Sequence, residues 1–241
     1  MDNLTQIGER VRQNFDAKQA AREAALKLSR EVIQSSALAI RAIHRSEFDE
    51  AKARIEAAGN ALGRAKAALA SHPDILYAGF VHDAAKEYAE ASQTFAVVQG
   101  QPLPDPEALG VEYAAYLNAL GETVGELRRH LLDHLRHGEI ERCERWLDAM
   151  DDIYSLLVTI DYPDAMTAGL RRTTDVTRGI LEKTRGDFTT AVRQRDLEVT
   201  LRAFEKRFSD LLESEEGEEP AEILTLKTGP MVVASEDLST E

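Results

Sequence analysis

Leu4, Ile7, Val11, Phe15, Ala25, Val32, Ile33, Ile40 and Ile43 fall on one side of a wheel of about 3.6 residues per turn, which predicts one long helix over residues 3–45. That stretch contains Gly8 but no proline. Ser46 then stands as an N-cap, with Asp49 three residues on, before a second helical stretch that ends at His72 and Pro73. A third helix is predicted from Pro73 to Val98, since proline in a first turn lacks only an N–H that has no helical partner anyway. GQPLPDPEALG, with Pro102, Pro104 and Pro106 close together, reads as a connector. The strongest pattern follows it. Leu117, Leu120, Val124, Leu127, Leu131 and Leu135 recur at spacings of 3, 4, 3, 4 and 4 in a helix from Glu112 to His137, and Gly138 supplies its C-terminal cap. A fifth helix runs from Glu139 to Thr159 and stops at DYPDA, because Pro163 disfavours helical geometry in the residue before it. A sixth, rich in arginine, covers Thr167 to Ser214. No alternating strand pattern interrupts them, so the expected fold is all-α: an extended antiparallel bundle of six to seven helices.

Composition narrows the class. At 241 residues the chain is within reach of a single hydrophobic core, and 43% hydrophobic with 30% charged residues are ordinary globular values. One helical domain over 1–214 and an acidic, mobile tail over 215–241 are expected. One cysteine, Cys143, excludes an internal disulfide and a multi-thiolate zinc site. No basic-then-apolar leader and no membrane-length apolar run is seen, so the expected location is the cytoplasm, with no membrane partner. The net charge of −14 argues against general stickiness to nucleic acid. That charge is uneven, however: residues 211–241 carry one lysine against nine acids, a net −8, whereas residues 1–54 carry ten Lys/Arg against eight acids. Local basic patches on the body are therefore compatible with the total.

Asp83, Glu87 and Glu90 lie within an arc of about 60° on the third helix, and Glu122 and Glu126 sit one turn apart on the fourth, nearly opposite its leucine stripe. Brought face to face, these carboxylates would suit Mg²⁺ or Mn²⁺, hard cations that prefer oxygen ligands; on spacing alone, a solvated acidic face is the preferred reading. His130, His134 and His137 admit a metal site, or a cationic end to the helix dipole ahead of Gly138. Arg12, Arg30, Arg41 and Arg45 line one side of the first helix as phosphate contacts or as a plain polar face. Lys18 and Arg22 project toward the apolar side, where a cation needs either an acid from another helix or a ligand. HExxH, ExxH, GxSxG and a glycine-rich phosphate loop are absent.

REAALKLSREVIQSSALAIRAIHR in the first helix, KEYAEA in the third, YLNALGETVGELRR in the fourth, and MDDIY followed by DYPDA before the last occur in an order and spacing that resemble the translin and TRAX family of all-helical nucleic-acid proteins. The likeness spans roughly Arg22 to Ala165. It implies binding of single-stranded RNA or DNA and assembly into a hollow homo-octamer that encloses the nucleic acid. TRAX-type members of the family are Mg²⁺-dependent endoribonucleases that use acids from two helices. The family's two glutamates of the third helix fall on Glu87 and Glu90, its fourth-helix aspartate on Glu122, and the glutamate one turn later on Glu126. Glu122 is thus one methylene longer than the usual residue. Because translin-type subunits lack the third-helix pair, the resemblance points to the catalytic branch.

The implied activity is a metal-dependent endoribonuclease acting on single-stranded RNA within a homo-oligomeric shell. Glu87, Glu90, Glu122 and Glu126 are its expected catalytic and metal-ligating residues, and Mg²⁺ or Mn²⁺ its cofactor. His82, Lys86 and Arg129, each within about one turn of these acids, join Lys18 and Arg22 as the expected nucleic-acid contacts. The alternative is a translin-like shell that binds single-stranded RNA or DNA without cutting it.

Overall fold

The computed structural model describes residues 3–77 and 79–215. The acidic segment beyond residue 215 lies outside the described residues. Six long helices carry the fold: α1 (Asn3–His44), α2 (Phe48–Ala68), α4 (Gly79–Gln99), α6 (Tyr113–Arg136), α7 (Ile140–Val158) and α9 (Leu170–Glu215). Three single-turn helices lie in the connections: α3 (Pro73–Leu76), α5 (Pro106–Leu109) and α8 (Asp164–Thr167). No strand occurs among the described residues.

The ends of α1 and α6 show how local chemistry sets the boundaries. Gly138 follows α6 at φ +75°, and the N–H of Glu139 reaches back to the carbonyl of His134, closing the helix as expected. Ser46 does the same for α1. It adopts φ +59°, with its own N–H on Ile43 O and the N–H of Glu47 on Ala42 O. Ser46 therefore terminates α1 and does not open α2, whose N-cap is Glu47 without a side-chain capping bond. The expected third helix divides in two: Pro73 starts the short α3, which is capped by Tyr77, and Gly79 begins α4.

The described residues up to Val192 pack as one unit, and the described part of α9 from Arg193 forms another. In the first unit α1 packs on α2 and α4, α4 on α6, and α6 on α7. The α6 stripe is the centre of this core. Leu120, Val124, Leu127 and Leu131 are at most 1% exposed and meet Trp146, Met150 and Leu157 of α7 and Ile43 of α1. Each such side chain contributes roughly 1.5–3 kcal/mol through removal of apolar surface from water. Leu4, Ile7, Val11 and Phe15, which extend the predicted apolar side of α1, are exposed; burial of α1 begins at Ala25. In the second unit Leu197, Leu201, Phe204, Phe208 and Leu211 are also exposed, spaced 4, 3, 4, 3, with the rings of Phe204 and Phe208 stacked at 6.2 Å.

Two polar ties fix the helices that carry the acids. Thr123 donates its hydroxyl to Gln93 Oε1 at 3.2 Å, and Gln93 Nε2 donates to the carbonyl of Tyr116, which locks the register of α4 against α6 in a buried setting. Asn118 donates to the carbonyls of Ala114 and Thr167 and accepts from Thr173 Oγ1 at 2.6 Å, which joins α6 to α8 and to the start of α9. No helix among the described residues is long and apolar enough to cross a membrane.

Candidate metal centre and nucleic-acid interface

Glu87 and Glu90 reach from α4, and Glu122 from α6, so that one carboxylate oxygen of each lies within 4.8 Å of the others. The inter-helix tie Gln93–Thr123 sits beside this meeting point, which explains how two separate helices present their acids to one spot. Glu90 is 8% exposed, and Glu87 and Glu122 are half-buried. Burial pushes the Glu90 carboxyl up to about 8, helped by the charges of Glu122, Glu87 and Glu126. Burial also raises Glu87, with Lys86 opposing and Glu122, Asp83 and Glu126 adding to the rise. Like charges out of water carry a high electrostatic cost, which is relieved by a proton on Glu90 or by a nearby cation.

Lys86 supplies one. Its Nζ lies 2.5 Å from Glu122 Oε1 and 4.0 Å from Glu87 Oε1. Burial acts to lower its pKa, but the hydrogen bond and charge of Glu122, with Glu87 and Glu90 behind, hold it above the usual lysine value. Lys86 thus faces the acids as their counter-ion. A cavity of about 530 Å³ opens over the cluster, lined by the three glutamates, Gly121, and Arg172, Thr173, Val176 and Ile180 of α9. Gly121 is what lets α9 approach. A Cβ there would stand 2.3 Å from Thr173 Cγ2 and 3.0 Å from Thr177 Oγ1.

Glu126 is not in the converging set. Its Oε2 is 2.5 Å from His44 Nε2 at the end of α1. Lys18 meets Asp74 of α3 at 2.7 Å, the acid from another element that its position calls for. Arg22 and Arg129 are exposed, and His82 lines a different cavity with Lys66, Tyr77 and Glu112. His130 is buried, and desolvation with the neighbouring His134 and His44 charges lowers it to about 4, while its ring packs 4.5 Å from Trp146. That makes it an aromatic core residue. Cys143 is buried as well, and burial pushes its thiol up to about 11, the opposite of an activated nucleophile. Arg172, Thr173 and Gly121 carry no sequence signal for the site, because their approach depends on where α9 crosses α6.

No family model matches the chain. An uncharacterised protein of Methanocaldococcus jannaschii is 32% identical over 178 residues, which cover 73% of this chain and 78% of that protein. Among solved structures, NeC3PO in its apo form has a TM-score of 0.65 at 22% identity, covering 79% of this chain and 98% of that one, and shows a shared fold. AfC3PO has a TM-score of 0.72 at 34% identity, covering 78% of this chain and 97% of that one. The same protein in complex with duplex RNA gives 0.73 with the same identity and coverage. With that identity extending over nearly all of AfC3PO, the chain belongs to the C3PO/translin family.

Proposed function

We propose that the protein is a metal-dependent endoribonuclease of the TRAX type, cutting single-stranded RNA inside a homo-oligomeric shell, with eight chains as the expected number. The observation that carries this reading is the convergence of Glu87, Glu90 and Glu122 within 4.8 Å at the floor of a cavity. Donors that are all carboxylate, one of them buried, fit a hard divalent ion, Mg²⁺ or Mn²⁺. These three would hold it, and when bound it supplies positive charge and Lewis acidity at a phosphate.

The chain's own residues contribute the rest. Arg172 lines the same cavity as the three glutamates and is placed to take a phosphate oxygen. Val176 and Ile180 give the same wall an apolar surface. RNA as ligand is supported by AfC3PO, whose structure with duplex RNA is known. Self-association is supported by the exposed stripes Leu4 to Phe15 and Leu197 to Leu211, since contiguous exposed apolar surface of this kind marks interfaces.

The test is a cleavage assay on an end-labelled RNA strand, single or annealed, in Mg²⁺, Mn²⁺ or EDTA. Product that requires the ion and disappears in Glu90→Gln is expected; equal product from wild type and Glu90→Gln ends the proposal. A second reading, a shell that binds single strands without cutting, is favoured by Lys86, which already balances part of the cluster's charge. Salt-sensitive binding that EDTA leaves unchanged, with no product, would select it.

A further inference from the structure

Glu126 stands one turn beyond Glu122 on α6, near enough that its charge raises both Glu87 and Glu90, yet it is absent from the converging trio. His44 accounts for that. A carboxylate only accepts hydrogen bonds, so at 2.5 Å it is His44 Nε2–H that donates to Glu126 Oε2. The His44 side chain is 5% exposed, and its other nitrogen, Nδ1, is buried with no hydrogen-bond partner. Its ring centroid lies 5.9 Å from that of His130, which in turn packs on Trp146. An imidazole held in a packed aromatic cluster, with one nitrogen orphaned, is unfavourable compared with an apolar residue unless its remaining bond matters. That bond goes to Glu126.

We propose that His44 is a positioning residue that holds Glu126 off the three-glutamate cluster and so fixes the number of carboxylates that a divalent ion meets at three. The inference rests on the reading of the cluster as an ion site. Charge explains why three is the useful number. Glu87, Glu90 and Glu122, when ionised, with Lys86 sum to −2, which one divalent ion neutralises. A fourth carboxylate drawn onto the ion would bring its negative charge directly against an anionic phosphodiester. It would also bind the ion more tightly, since affinity follows the count of charged ligands.

The experiment measures Mn²⁺ affinity by titration calorimetry on the full chain, beside cleavage of a labelled RNA strand. His44→Ala frees Glu126, so the Mn²⁺ Kd is expected to tighten about tenfold while KM for RNA rises. His44→Gln, which keeps a donor, stays near wild type, and the double variant His44→Ala/Glu126→Gln returns to the wild-type Kd. Glu126→Gln alone leaves Mn²⁺ affinity unchanged, and this arm decides the matter even if His44→Ala does not fold. An unchanged Kd in folded His44→Ala, or weakened binding in Glu126→Gln, overturns the positioning role while wild-type cleavage keeps the proposed function standing. Absence of Mn²⁺ binding by the wild-type protein overturns both.

Discussion

Lys86 Nζ lies 2.5 Å from Glu122 Oε1, so the acid cluster contains a positive charge of its own before any ion arrives. A divalent ion and the ammonium then compete for the same oxygens. Lys86→Met removes the competitor, and Mn²⁺ affinity measured by calorimetry is expected to rise about tenfold, a shift of roughly 1.4 kcal/mol. An unchanged or weaker affinity would show that Lys86 and the ion occupy separate places.

Glu90 gives the protein a pH dependence of defined sign. Burial holds its carboxyl near 8 in the folded chain against an ordinary value of about 4.5, so between those limits the folded state keeps a proton that the unfolded state has lost. Stability contributed by this group is therefore full below about pH 4.5, falls as pH rises toward 8, and is lost above it. Metal binding runs the other way, since the ion displaces that proton. Thermal unfolding from pH 5 to 9 is expected to show wild type losing ground to Glu90→Gln as pH rises, and Mn²⁺ to restore wild type alone. Parallel melting curves for the two proteins across that range would refute the assignment.

Gly121 is predicted to tolerate no side chain. In Gly121→Ala the new methyl meets Thr173 Cγ2 at 2.3 Å, so α9 must move off α6 at the cavity wall. A loss of about 1 to 3 kcal/mol is expected in chemical denaturation. Adding Thr173→Ser removes the clashing methyl but keeps the hydroxyl that bonds Asn118, and should recover part of the loss. No recovery would mean that the clash is not with that methyl.

Assembly is checked by mass in solution. Phe204→Glu with Phe208→Glu places two charges in the exposed stripe of the second unit, and light scattering at micromolar concentration is expected to show a smaller species than wild type. Wild type with the mass of one chain would remove the shell from the proposal.

The sequence makes some of this legible and leaves the rest hidden for physical reasons. The α6 stripe from Leu117 to Leu135 and the pair Glu87, Glu90 follow from periodicity within one helix, which is a local property. Their meeting with Glu122 was suggested by family resemblance and is seen in the folded chain. Pairings between helices are another matter. Nothing in its own neighbourhood assigns His44 to Glu126, and Lys86, expected to face nucleic acid, faces Glu122 because α4 and α6 cross there. Ser46 carries the composition of an N-cap but is used in left-handed geometry to end the preceding helix. The apolar start of α1 has the periodicity of a core face and is exposed, since periodicity identifies a face without saying what covers it.

Asn118 has a further consequence for how this fold can vary. It accepts from Thr173 and donates to the Thr167 carbonyl, so the start of α9 is indexed to α6 directly and not through the chain that joins α7 to α8. Residues 159–163 can then lengthen or shorten among relatives without shifting Arg172 and Thr173 along the cavity wall. The connector's own tie to α9 is the exposed pair of Asp161 with Arg171, so one buried amide side chain keeps the wall in register.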